Sequence, residues 1–246
     1  MPILTPQQYI ARRQAYNYSA PDTAVNLLPT PNVAEHASIG IYPGVPHADG
    51  ISIRRFECLM QEVFSDYVQT PSVARTPNHI CNLQNVSLAL VHWKMASQGG
   101  RPDRARNNVL AKWNLCTVDQ LMNAYTFHAG NPPEPNVALF QIGGVRIATA
   151  SAFLRFLFPE QYGIVDSRVA GLVTNPGNFT NFGLRLNDNY INDTQGNRIE
   201  YNAVYVPLLQ AEAARLNAAG VSFADPDPMA IGQQTWRPCD IEMALW

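Results

Sequence analysis

The stretch Ile142-Gly143-Gly144-Val145-Arg146-Ile147-Ala148-Thr149-Ala150 decides how this 246-residue chain is read. Residues on either side fit two short helices, at about 135–142 and 147–158, with the two glycines forming the turn between them. A tight hairpin of this kind needs a backbone that tolerates positive φ and allows close approach, which glycine supplies. It also aims successive backbone N–H groups and a helix N-terminus at one point. That nest binds an anion without needing a charged side chain. The second helix packs through Ile147, Ala150, Leu154, Leu157 and Phe158, whereas small Ala148, Ser151 and Ala152 leave another face open to a helix or ligand.

Outward from the hairpin, helical signals continue. Thr5-Pro6-Gln7-Gln8 is a capping box with proline in the first turn, opening a helix to about Asn17. Apolar residues recur at helical spacing over 51–68 (Ile53, Phe56, Met60, Val63, Phe64, Tyr67). The segment 85–96 is apolar nearly all round, through Val86, Leu88, Leu90, Val91 and Trp93, which predicts a central buried helix. A polar, basic connection, Ser97–Arg106, leads to a helix ending near Trp113, and Thr117-Val118-Asp119-Gln120 reads as the capping box of another, to about His128. A long helix is predicted over about 199–218, with Tyr201, Val204, Leu208, Ala211 and Leu216 on its apolar stripe, and a terminal one after Trp236-Arg237-Pro238. Segments 19–50 and 175–197 are punctuated by Pro, Gly and Asn and read as irregular chain, the latter with room for a small β excursion. The fold class is all-α: one helical unit over 1–246, built as a bundle of two packed lobes.

Composition narrows the function. With 46% hydrophobic and 15% charged residues the chain is globular in type. A net charge of −2 argues against a nucleic-acid partner unless a local basic face exists. Arginine dominates the seventeen basic residues, Lys94 and Lys112 being the lysines; arginine is favoured where planar contacts to phosphate matter. Cys58, Cys81, Cys116 and Cys239 lie far apart with no CxxC spacing, which excludes a zinc ribbon or a compact iron–sulfur loop and suggests buried thiols. His36, His47 and His79 form no HxH or HxxxH pair, so no metal site is expected. No apolar run approaches membrane-spanning length and no charged leader precedes an apolar core, from which a cytoplasmic location is expected.

The hairpin resembles the helix-hairpin-helix of the DNA glycosylase superfamily, whose motif runs hydrophobic-Pro-Gly-Val-Gly-x-Lys-Thr-Ala and is followed by a helix, a turn and Val-Asp. Ile142, Gly144, Val145, Thr149 and Ala150 match, and Val165-Asp166 falls at the family spacing, the aspartate seventeen residues beyond Thr149. The likeness covers about 35 residues, over a motif placed at 137–158 and the aspartate beyond it. Gly143 replaces the family's proline and Arg146 its second glycine, so Arg146 must tolerate the backbone of the turn. The position of the lysine nucleophile of bifunctional members is Ala148, and no iron–sulfur cluster or other cofactor is implied. Without an amine there, no Schiff base can form at that position.

The resemblance implies a monofunctional enzyme of base excision repair, acting on DNA, most simply double-stranded, by hydrolysing the N-glycosidic bond of a flipped base. Asp166 would be its catalytic carboxylate, stabilising positive charge on the sugar and orienting water. Asp166 also precedes a helical pattern as an ordinary N-cap would, and the two roles are compatible. Gly143, Gly144, Val145, Arg146, Ala148 and Thr149 would hold the DNA backbone, with Arg155 and Arg168 adding positive potential; Arg101, Arg104 and Arg106 form a second basic segment. Trp93, Lys94, Tyr125 and His128 are candidates to line a base pocket, although Trp93 reads more readily as core and Lys94 more readily as a snorkelling surface cation. Two readings compete. One is a non-catalytic helix-hairpin-helix module that grips DNA and regulates something else. The other is a relic motif in a protein acting on proteins or small molecules.

Overall fold

Helices carry most of the residues that the computed structural model describes, namely 4–16, 53–95, 101–130, 145–165, 169, 186–187, 190–227 and 230–246. In order these are α1 (Pro6–Ala15), α2 (Ile53–Gln69), α3 (Pro77–Met95), α4 (Arg101–Leu110), α5 (Leu115–Gly130) and α6 (Ile147–Leu157). Then come α7 (Gln195–Glu200), a π-helical turn (Tyr201–Tyr205), α8 (Val206–Ala218) and α9 (Pro238–Leu245). Two short antiparallel pairs interrupt the helices. β1 (Leu186–Asn187) pairs with β2 (Tyr190–Ile191), and β3 (Phe223–Ala224) with β4 (Gln233–Gln234), in the register Phe223↔Gln234. The first pair lies inside the segment where a β excursion had room; the second has no counterpart in the sequence expectations. The irregular stretch 19–50, the helix at 135–142, the Gly143-Gly144 turn and residues 175–185 lie outside the described residues.

Helix boundaries follow local chemistry. The Thr5 box forms as read, Thr5 Oγ1 accepting from the Gln8 amide at 3.3 Å and Gln8 Oε1 from the Thr5 amide at 2.9 Å, a cap that contributes about 1 kcal/mol. Thr117 is not the cap of α5. Asn114 is: its Oδ1 accepts from the Thr117 amide at 3.0 Å, and Thr117 Oγ1 accepts in return from the Asn114 amide at 3.4 Å. α3 begins at Pro77, well before the expected Asn85, because its first turns are polar and half-buried or exposed, and so lack an apolar signature. α4 already includes Arg101, so much of the expected connection is helix.

The chain divides into two compact units. One gathers residues Tyr18–Thr126 and Phe140–Val145. Its core is the buried face of α2 (Phe56, Leu59, Met60, Phe64) packed on α3, in which Leu83, Val86, Ala89, Leu90 and Trp93 are buried. α4 packs on α3 in the same unit. The apolar stripe of α2 is buried except at half-buried Val63, the predicted burial of α3 holds, and Trp93 is core at 3% exposure.

The other unit gathers Met1–Asn17, Phe127–Leu139 and Arg146–Trp246. Here α1 and α8 both pack on α9. Tyr9 meets Trp236 edge-on, and Phe223 tilts against Trp236 with ring centroids 4.4 Å apart. A buried charge cluster ties these elements together. Arg13 Nη2 meets Asp225 Oδ2 at 2.7 Å and its Nε meets Asp240 Oδ1 at 3.2 Å, while Asp240 Oδ2 accepts from Arg237 Nε at 2.9 Å. Trp246 is less deeply anchored than a terminal core residue: it is 39% exposed and packs edge-on against Tyr16.

The long helix departs most instructively from its expected pattern. Tyr201 and Leu216 are buried as expected, with Asn202, Tyr205, Val206, Leu209, Glu212 and Ala213, whereas Val204 and Leu208 are half-exposed and Ala211 is exposed. The π turn explains the difference. Val206 N–H reaches back to Tyr201 O, an i→i+5 bond that inserts one residue and rotates every later position around the axis. Pro207 supplies a cause: it has no N–H to give, and its ring crowds the carbonyl four residues back.

Among the described residues no helix is long and apolar enough to cross a membrane, and no group of His, Cys, Asp and Glu is placed to hold a metal ion. Cys239 is buried as expected, but Cys58 and Cys81 reach the surface, because each sits on the polar side of its helix.

Candidate functional site

α6 is buried along nearly its whole length, from Ile147 to Leu157. Arg146 is its N-cap, with φ −105° and ψ 172°. That is ordinary extended backbone, so an arginine replaces the motif's glycine here without strain. Its side chain is exposed and its carbonyl accepts from the Thr149 and Ala150 amides at 2.9 and 2.8 Å. Val145 and Thr149 are buried and Ala148 half-buried.

The small-residue face of α6 is not left open. The chain turns back after Phe158, whose carbonyl accepts from the Gln161 and Tyr162 amides at 3.0 Å each, and runs through Gly163, Ile164 and Val165. These residues are buried and outside any helix or strand, so their backbone groups need side-chain partners. They have them. Tyr201 Oη donates to Gly163 O at 2.9 Å, Tyr205 Oη donates to Ile164 O at 2.7 Å, and the Val165 amide donates to Ser151 Oγ at 3.1 Å. Ser151 Oγ in turn donates to Ala148 O at 3.0 Å. Three consecutive residues are thus held by three hydroxyls, one from α6 and two from the π turn. Burial pushes the Tyr201 phenol up, with Tyr162 and Glu242 adding to it, so that the hydroxyl stays a donor.

Gly163 is required at its place for lack of room. A β-carbon there would stand 2.5 Å from Leu209 Cδ1 and 2.8 Å from Glu242 Cβ. Gly163→Ala should therefore destabilise the protein by roughly 1–3 kcal/mol through overpacking, read as a lowered urea midpoint at unchanged slope. A change below about 0.5 kcal/mol, the scatter of ordinary surface substitutions, would show that α8 and α9 yield freely.

His128 belongs to this neighbourhood. Its Nδ1 lies 2.9 Å from Tyr162 Oη and its ring meets Tyr162 edge-on. Burial holds the imidazole down at about 4, so it is neutral at working pH and carries no charge to offer a phosphate. Of the other pocket candidates, Trp93, Lys94 and Tyr125 belong to the other unit. There Trp93 is buried, Lys94 is half-buried and Tyr125 tilts against Phe64 with centroids 5.5 Å apart. Arg155 is also inside: it is 1% exposed, with its guanidinium 4.3 Å from the Phe156 ring centroid and Nη2 3.9 Å from Met243 Sδ. A cation held so deep is not presented to an external strand. Arg104 is exposed on α4, whereas the side chains of Arg101 and Arg106, and all of Gly143, Gly144, Asp166 and Arg168, lie outside what is described.

Sequence reasoning passed over Ser151 as a donor, Gly163 as a spacer, and Tyr201 with Tyr205 as a pair. The tyrosines stand four apart on one helix, a spacing that places them on one face, and that was the available signal. No protein family, no curated protein and no solved structure matches this chain.

Proposed function

We propose that the protein is a monofunctional DNA glycosylase-like enzyme that hydrolyses the N-glycosidic bond of a flipped base, with Asp166 as its catalytic carboxylate and DNA as its partner. The observation that supports this reading is the clamp on Gly163–Val165. It fixes, relative to α6, the chain as far as Val165, the residue before Asp166 in the sequence. An enzyme of this kind needs such a fixed relation, since the helix that follows the hairpin bears on the DNA backbone while the carboxylate faces the sugar. The finer fold that goes with the reading is a bundle of two packed lobes carrying one helix-hairpin-helix.

Chemically, a carboxylate ionised at working pH stabilises the oxocarbenium-like sugar as the base departs and orients the water that replaces it. Ala148 offers no amine, so the product is an abasic site on an intact strand. The contact to DNA rests on the hairpin amides and on Arg146, exposed at the start of α6. Arg155 has no part in it, given its burial.

Reversing the charge at that point tests the contact. Arg146→Glu should weaken binding to a short duplex by about tenfold, roughly 1.4 kcal/mol, and reduce the salt dependence by about one counterion. Fluorescence anisotropy over a salt series reads both. Unchanged affinity and slope would remove the start of α6 from the interface.

A further inference from the structure

Asn202 follows Tyr201 on the π-helical turn and is 2% exposed. Among the described residues, neither its Oδ1 nor its Nδ2 meets a hydrogen-bond partner. Buried carboxamides are nearly always satisfied, and leaving both ends of one unmet forfeits the hydration of a donor and an acceptor together. The turn's other polar side chains, Tyr201 and Tyr205, are engaged with Gly163 and Ile164. The turn, which Pro207 favours, is itself an irregularity of a type frequent at functional positions. An unmet carboxamide and a broken helical register thus coincide within one turn, directly beside the clamped chain.

We infer that Asn202 is the recognition group of a small-ligand site whose ligand is a planar heterocycle presenting an N–H donor beside a carbonyl or ring-nitrogen acceptor. The class follows from what a carboxamide edge can satisfy. An anion would meet Nδ2 but repel Oδ1, a cation would do the reverse, and an apolar group would satisfy neither. A heterocyclic edge with donor and acceptor side by side in one plane meets both at once, as asparagine does with adenine. The choice of a nucleobase among such heterocycles rests on the glycosylase reading.

The test uses the full chain, with adenine, guanine, uracil and hypoxanthine as free-base probes in titration calorimetry, alongside thermal melting. The wild type should bind at least one of the four. Asn202→Leu should weaken that binding by about tenfold or more, and its melting temperature without base should equal or exceed the wild-type value, because the unmet groups are gone at similar volume. Asn202→Asp, nearly isosteric but unable to donate, should lose the same affinity, and it decides the matter should the leucine variant fail to fold. The inference is overturned if the wild type binds none of the four bases, or if both variants bind as the wild type does. It is overturned equally if Asn202→Leu folds but melts below the wild type, the mark of a carboxamide bridged internally by water. Base binding that depends on Asn202, with no base released from any duplex, upholds the site and removes the hydrolase reading. Base release undiminished in Asn202→Leu does the opposite.

Discussion

Asp166→Asn should lower base release by about a hundredfold or more while leaving the melting curve where it is. The argument is electrostatic. As the glycosidic bond lengthens, positive charge builds on the sugar, and a fixed carboxylate is worth most where water is excluded and the group need not reorganise. The amide keeps the size and much of the hydrogen bonding of the acid but not its charge. Residual activity would come from binding and base positioning alone. If Asp166 served as a helix cap only, asparagine would cap as well as aspartate, and base release would persist at the wild-type rate. The comparison therefore separates the two roles that the sequence leaves compatible.

Asp240→Ala should destabilise the protein by about 3–5 kcal/mol, the range for breaking a buried ion pair from one side. Asp240 is fully buried and accepts from Arg13 Nε at 3.2 Å, from Arg237 Nε at 2.9 Å and from the Arg237 amide at 3.3 Å. Removing it leaves Arg13 with Asp225 alone among these carboxylates and strips the first turn of α9 of its acid. The effect should appear as a lowered urea midpoint with α1 loosened from α9. A loss below about 1 kcal/mol, the worth of an exposed pair, would mean that water reaches this cluster. Substituting Arg13 and Asp240 together by apolar residues should recover much of the loss, since the penalty lies mostly in the orphaned charge.

Helix existence was legible wherever apolar periodicity was unbroken, as on α2 and in the apolar second half of α3. Starts were harder. Pro77 opens α3 behind polar turns that carry no stripe, and Asn114 rather than Thr117 caps α5, because either residue can accept from an amide near its own position. Val204, Leu208 and Ala211 each fall one residue short of the buried face for a definite reason: an α-helical period was carried across the π turn that precedes Pro207. Charge was the least legible property. Arg155 reads in the sequence as adding positive potential near the hairpin, yet it is buried over an aromatic ring and against a sulfur, and Arg13 is buried between two aspartates from distant parts of the chain. Partners so far apart in sequence leave no local trace. The clamp escaped for the same reason, since Tyr201 and Tyr205 lie some forty residues from the carbonyls they hold.

Most direct is an assay of the unmodified protein on duplexes that each carry one damaged or deaminated base, read for free base and for strand integrity. The account requires that a base be released, that the abasic strand stay whole until treated with alkali, and that borohydride trap no protein–DNA adduct. Release of nothing from any duplex, or a trapped adduct with a cut strand, would contradict it.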